Sequence, residues 1–237
     1  MSTTAVLEIE RVAASYGAAP IVRGASLTVH RGEVVGLVGR NGVGKSTLIK
    51  AVMGLVPQSA GSVKLQGTDL TGVSSHRRAR LGLGYVPQGR GIFGTLSVEE
   101  NVRMGEAAAP RIGADAYERV YQLFPVLRKR RRQMAGSLSG GEQQMLALAR
   151  VLVRDPAVLL LDEPSEGIQP SIVQAIGDMV RDLRDHTGLA VLLVEQNWEL
   201  ITRATDRCVV MDKGEIVAQL TSEETRDADT AARYLAV

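Results

Sequence analysis

The run Gly39-Arg40-Asn41-Gly42-Val43-Gly44-Lys45-Ser46-Thr47 constrains this chain more than any other feature. It follows an unbroken apolar run, Val34–Val38, and opens a segment in which Leu48, Ile49 and Val52 recur at helical spacing. A glycine-rich loop between a buried strand and a helix is a phosphate cradle. The glycines let backbone N–H groups turn inward around a β-phosphate, the helix N-terminus adds partial positive charge, and Lys45 reaches the β- and γ-phosphates. Ser46 offers a hydroxyl to a magnesium ion riding on those phosphates. A turn without a ligand is the plain alternative, and the complete pattern in its strand-loop-helix setting argues against it. The loop alone does not separate a small-molecule kinase from a GTPase or a motor ATPase.

Two further aliphatic runs, residues 158–161 and Ala190–Val194, read as buried strands between helix-length segments, the pattern of an α/β fold with a largely parallel sheet. Residues 7–12, 26–29 and 62–65 instead alternate apolar and polar side chains between turn signals, which predicts an N-terminal antiparallel sheet packed on that core. Between Val98 and Arg154 only helical periodicity occurs, at 98–104, 115–124 and 141–154, so a helical subdomain is expected there as an insertion. With 237 residues and 45% hydrophobic content, one large core is expected and two independent domains are not.

No apolar run approaches the roughly 18 residues that a membrane-spanning helix needs, and residues 1–10 lack the charged and apolar segments of a secretory signal. A cytoplasmic chain is expected. The formal charge of +2 is no nucleic-acid-binding surplus, so no nucleic-acid partner is expected. The basic run Arg128-Lys129-Arg130-Arg131-Arg132 lacks interleaved aromatics and reads as a solvated helix end, with contact to anionic lipid as the alternative. The single cysteine, Cys208, reads as a buried strand thiol.

Residues 158–161 run into Asp162-Glu163-Pro164, which sets two acids at the C-terminal edge of a parallel sheet beside the phosphate loop. Asp162 suits a magnesium ion, and Glu163 suits a water poised for in-line attack on a γ-phosphate. A capping acid before proline would account for one carboxylate only. Upstream, Leu138-Ser139-Gly140-Gly141-Glu142-Gln143-Gln144 opens a helix through Met145, Leu146, Leu148 and Ala149. Ser139 and the two glycines make a second anion-ready helix N-terminus, although Ser-Gly-Gly alone is commonly just a cap.

Together these motifs resemble the ATP-binding subunits of ABC transporters over essentially the whole chain. The resemblance implies a P-loop NTPase (RecA-like) core with an N-terminal antiparallel β subdomain and an inserted helical subdomain at about 91–155, forming a single nucleotide-binding domain over 1–237. It implies ATP and Mg²⁺ as cofactors, bound through Gly39, Asn41, Gly42, Val43, Gly44, Lys45, Ser46 and Thr47, with Ser46, Gln88 and Asp162 toward the metal and Glu163 as catalytic base. Tyr16 stands where the family stacks an aromatic on adenine, and a core or surface tyrosine satisfies the sequence equally well. Ser139, Gly140, Gly141 and Glu142 imply a second cassette, a paralogue or a second copy, in an ATP-sandwich dimer. Transmembrane permease subunits, and through them a substrate-binding protein, are implied as partners, which places the chain peripherally on the cytoplasmic face of the membrane.

The runs Pro87-Gln88-Gly89-Arg90-Gly91-Ile92-Phe93 and Glu166-Gly167-Ile168-Gln169-Pro170 are similar to those of importers for branched-chain amino acids, short amides or urea. Ile92 and Phe93 are then expected in the permease dock. The alternative is a non-transport ABC ATPase of DNA repair or translation, whose long coiled coil or second cassette the sequence lacks. Where most of the family carries a histidine facing the γ-phosphate, this chain has Gln196, which can donate a hydrogen bond but cannot become cationic.

Overall fold

Two sheets arise from the two kinds of strand pattern in this computed structural model, which describes residues 4–17, 19–108, 112–227, 229–230 and 234. Of the N-terminal run read above, residues 1–3 lie outside the described residues. The strands are β1 (Ala5–Tyr16), β2 (Ala19–His30), β3 (Val34–Val38), β4 (Gln58–Leu65), β5 (Thr68–Asp69), β6 (Leu83–Val86), β7 (Val158–Asp162), β8 (Ala190–Val194), β9 (Arg207–Asp212) and β10 (Glu215–Leu220). The helices are α1 (Lys45–Met53), α2 (Ser75–Arg80), α3 (Val98–Arg103), α4 (Ala114–Leu123), α5 (Pro125–Lys129), α6 (Gly140–Leu152), α7 (Pro170–Thr187), α8 (Trp198–Ala204) and α9 (Ser222–Arg226).

Strands β1, β2, β4 and β5 form an antiparallel sheet in the order β2-β1-β4-β5. The second sheet runs β10-β9-β3-β8-β7-β6, parallel from β9 to β6 with β10 antiparallel on its edge. Every residue of β3, β7 and β8 is buried, which requires a sheet covered on both faces. Alternate side chains feed two cores. Val34, Leu159, Leu161, Val191 and Leu193 face one shared with α3–α8, whereas Val35, Leu160, Leu192 and Val194 face one shared with α1 and the antiparallel sheet.

Between β6 and β7 the described residues carry only helices and one isolated bridge, Ser97 to Met134, as the periodicity implied. Among the described residues this helical segment shares its core with the sheet, since Val98, Val120, Leu127 and Leu146 join the cluster beneath the six-stranded sheet. Cys208 is buried in β9. The basic run is exposed at the end of α5, with Arg128 paired to Glu118. Among the described residues no helix is long and apolar enough to cross a membrane.

Candidate functional site

Strands β3, β6, β7 and β8 end together, so the phosphate loop, Gln88, the Asp162-Glu163 pair and Glu195-Gln196 all emerge on one edge of the sheet, where α/β folds bind ligands. The loop is held from outside by main chain: Gly214 N–H donates to Val43 O at 2.9 Å, and Arg23 N–H to Gly214 O at 2.8 Å. Gly39 is required by close approach, because a Cβ there would lie 2.2 Å from Met211 O. Lys45, only 4% exposed, donates from Nζ to Gly39 O at 2.8 Å and Arg40 O at 3.0 Å. Burial lowers its pKa, against the opposing pull of Glu163, Glu195 and Asp162. The ammonium is thus held over the loop among acids, where a phosphate would relieve its desolvation.

Ser46 Oγ donates to Asp162 Oδ1 at 2.8 Å, and Tyr85 OH to Asp162 Oδ2 at 3.2 Å. The Tyr85 phenol is pushed up by burial and then by the Asp162 charge, so it stays a donor to that carboxylate. Hydroxyl and carboxylate are hard oxygen donors, and among the described residues no group of three or more His, Cys, Asp or Glu gathers to hold a metal unaided. That donor set fits magnesium, which takes one or two protein ligands and completes its shell with phosphate and water. Glu163 sits at φ 46, left-handed backbone that non-glycine residues seldom adopt, and its N–H donates to Val194 O at 2.9 Å. Its Oε1 lies 3.9 Å from Lys45 Nζ, and its Oε2 accepts from Gln88 Nε2 at 3.3 Å. Burial raises the Glu163 carboxyl, with Asp162, Glu195 and Glu166 adding to the rise and Lys45 opposing it. A carboxylate so raised is a stronger base toward water than a free one.

An open cleft of about 240 Å³ is lined by Tyr16, Ile21, Gly42, Lys45, Thr47 and Glu163 among others, with the Tyr16 ring 53% exposed at it. Asn41 is exposed on the loop. Ser139, Gly140, Gly141 and Glu142 do not line this cleft. They form a complete capping box at the start of α6: Glu142 N–H donates to Ser139 Oγ at 3.4 Å, and Ser139 N–H to Glu142 Oε2 at 3.0 Å. Glu142 also pairs with Arg130 at 3.1 Å, so one residue of the basic run is tied to this element. Gly141 admits the neighbouring helix, since a Cβ there would meet Ile172 Cγ2 at 2.6 Å. Ser139 is exposed outside the cleft of the chain's own phosphate loop, and its hydroxyl donates to Glu142 Oε2 at 2.9 Å.

From Gln88 the chain runs into a second feature, an open groove of about 480 Å³ lined by Leu55, His76, Phe93, Met104, Arg150 and others. Leu55, Phe93 and Met104 are 53%, 44% and 42% exposed. The buried side chain of Asn101 grips both backbone groups of Phe93, accepting from its N–H at 2.9 Å and donating to its O at 2.9 Å. Arg150 lies 5.4 Å over the Phe93 ring and donates to Gly91 O at 2.6 Å. Phe93 is therefore presented from a fixed backbone, whereas Ile92, expected beside it, packs partly buried against the helical core.

Gln196 is exposed, and no side-chain hydrogen bond of its own is found among the described residues. The residue before it carries the structure: Glu195, 1% exposed, accepts from Gln196 N–H at 2.8 Å, Asn197 N–H at 2.9 Å and Ser165 N–H at 3.2 Å. One buried carboxylate thus joins the loop after β8 to the loop after the acidic pair. Sequence reasoning passed over Glu195, Asn101 and Arg150. The available signal for Glu195 was its place at the end of an all-apolar strand, the same place that singles out Asp162.

Residues 22–166 match the family described as ABC transporter. The chain is 40% identical over 233 residues, 94% of this chain and 98% of the relative, to the high-affinity branched-chain amino acid transport ATP-binding protein BraG of Pseudomonas aeruginosa. It is 36% identical, over 93% of this chain and 92% of the relative, to the lipopolysaccharide export system ATP-binding protein LptB of Escherichia coli K12. The fold matches the ADP conformation of an ATP-binding cassette of an ABC transporter at a TM-score of 0.85 and 24% identity, covering 98% of this chain and 97% of that one.

Proposed function

This chain belongs to the ABC transporter family as its ATP-binding, ATP-hydrolysing subunit, and from that premise we propose that it powers an importer for branched-chain amino acids, short amides or urea. The 40% identity to a branched-chain amino acid transport cassette supports this substrate class. The similar identity to an export cassette is consistent with substrate being selected by other subunits. The whole chain acts as one nucleotide-binding domain with its helical subdomain at about 91–155.

In this reading ATP lies on the phosphate loop with adenine against Tyr16 and the phosphates on the amides of residues 39–47. Lys45 exchanges its carbonyl partners for the β- and γ-phosphates. Ser46, Asp162 and Gln88 would hold Mg²⁺, which would supply charge neutralisation to the phosphates. Glu163 accepts a proton from a water as its oxygen bonds to the γ-phosphorus and the bond to ADP breaks, giving ADP and phosphate. Gln196 lies toward the γ-phosphate as a hydrogen-bond donor without charge.

One observation carries the assembly. The cleft, at about 240 Å³, is smaller and more open than the roughly 300–1,000 Å³ of complete ligand pockets, while the Ser139–Glu142 element lies outside it with Ser139 exposed. A second cassette, paralogous or identical, would lay its own Ser139 counterpart over this ATP and receive the reciprocal contact. The groove around Phe93 then seats a permease segment on the cytoplasmic face of the membrane, with a substrate-binding protein engaged through the permease and no nucleic acid involved. Sedimentation of Glu163→Gln at saturating Mg-ATP, with and without a co-purified paralogous cassette, tests this. A nucleotide-dependent dimer is expected in at least one arm, and monomer in both would sink the two-cassette reading.

A further inference from the structure

A cavity of about 390 Å³ lies at the far end of the sheet from the nucleotide, among the residues that lead into β3, β6, β7 and β8. Its walls include Arg31, Arg80 and Arg154, together with Gln66 and Asp155. These arginines come from three separate places: the turn before β3, the last residue of α2 and the turn after α6. Among the described residues none of the three forms an ion pair. Arg154 gives one weak hydrogen bond, Nη2 to Leu83 O at 3.3 Å, and its Nε is buried without a partner. Burial depresses the Arg154 pKa, and among the described residues no acid opposes that shift.

A guanidinium that is partly withdrawn from water and makes no ion pair destabilises the fold unless something else meets it. We propose that this cavity is a second ligand site, which takes a small phosphate-bearing dianion through Arg31, Arg80 and Arg154. Three guanidinium groups against the single carboxylate of Asp155 leave a balance of two positive charges, which suits a phosphate or pyrophosphate group better than a monocarboxylate. The volume falls within the roughly 300–1,000 Å³ of small-molecule sites. Arg154 also lines the groove that presents Phe93, so an anion that fixes this side chain also fixes one wall of that groove. The site is thus placed to report a phosphorylated metabolite to the surface that faces the permease.

The test must separate this cavity from the phosphate loop, which also binds phosphates. Lys45→Ala protein is titrated calorimetrically with pyrophosphate, free of Mg²⁺ and at constant ionic strength. One equivalent should bind, and Arg80→Gln or Arg31→Gln on that background should each weaken it roughly tenfold, the loss of a charge-assisted contact. Both arginines are exposed, so both variants should fold; in the Lys45-containing chain they should leave ADP affinity unchanged. Arg154→Met should remove the thermal stabilisation by pyrophosphate and, without the anion, raise Tm by about 2–4 °C, as expected for deletion of an uncompensated charge. No binding to Lys45→Ala, or binding that both arginine variants leave intact, would overturn the site. Arginine-dependent binding to phosphatidylglycerol vesicles without binding of soluble pyrophosphate would overturn the free-anion reading in favour of a lipid headgroup.

Discussion

Replacing Glu195 is the perturbation that most directly tests how the catalytic edge is held together. In Glu195→Ala, the N–H groups of Ser165, Gln196 and Asn197 lose their shared acceptor. Hydrogen bonds to a charged group contribute about 1.5–3 kcal/mol each, so the gross loss is about 4.5–9 kcal/mol. Part is returned, because the mutation also removes a buried anion that stands near Glu163, and the net cost should be about 2–4 kcal/mol. For a chain of this size that lowers Tm by roughly 5–15 °C. Glu195→Gln separates the latch from the charge. It keeps an acceptor for Gln196 and Asn197 but removes one of the charges that raise the Glu163 carboxyl, so Glu163 should ionise at lower pH. Because Glu163 must be ionised to act as base, the acid limb of the kcat profile should move to lower pH in Glu195→Gln. Calorimetric melting and ATPase rates across the acid range provide both readouts. An unchanged Tm in Glu195→Ala would refute the latch, and a lower Tm with an unmoved acid limb in Glu195→Gln would leave Glu195 a purely structural residue.

Lys45→Ala should abolish ATP binding, read by titration with a fluorescent nucleotide, because no other cation is held over the loop by Gly39 O and Arg40 O among the described residues. Glu163→Gln should slow hydrolysis by about 10²–10⁴ while preserving binding. A carboxyl raised in the fold makes its ionised form costly above that raised value and costs nothing below the ordinary carboxylate range, so Glu163→Gln should melt higher than the parent at neutral pH, with the difference closing in acid. Phe93→Ala should abolish transport while soluble ATPase stays and stability falls by only about 1–2 kcal/mol, as for a half-covered ring under a guanidinium; a larger fall in Tm with lost ATPase would make Phe93 an anchor. In the assembled transporter, Gln196→Ala should lower turnover and Gln196→His preserve or raise it; parental rates in both would remove Gln196 from the site.

Local pattern explains what could be read without coordinates. The phosphate loop, Val34–Val38, Ala190–Val194 and the helix start at Ser139 each declare themselves within a dozen residues, because a strand buried on both faces needs an unbroken apolar run and a helix start needs its cap. Strand β6 was not legible, since Leu83-Gly84-Tyr85-Val86 is short and broken by a glycine, and the β9-β10 hairpin showed only its apolar half. Buried polar residues were the other loss. Asn101, Arg150 and Glu195 look like ordinary surface types in sequence, and their roles lie with partners that no local window contains.

The chemistry is already present in the unfolded chain: a cradle for phosphate, acids beside it, a second anion-ready helix start and a glutamine where a cationic histidine could stand. These depend on residue type and on spacing along the chain, which the peptide carries unfolded. Which of them meet depends on how the strands pack. The sheet order β9-β3-β8-β7-β6 brings Lys45, Gln88, Asp162, Glu163 and Glu195 to one edge, raises Glu163 by burial and neighbouring charge, and leaves Ser139 outside that cleft. Strand pairing and burial are contacts between distant segments, and a carboxylate's basicity depends on what those contacts place around it.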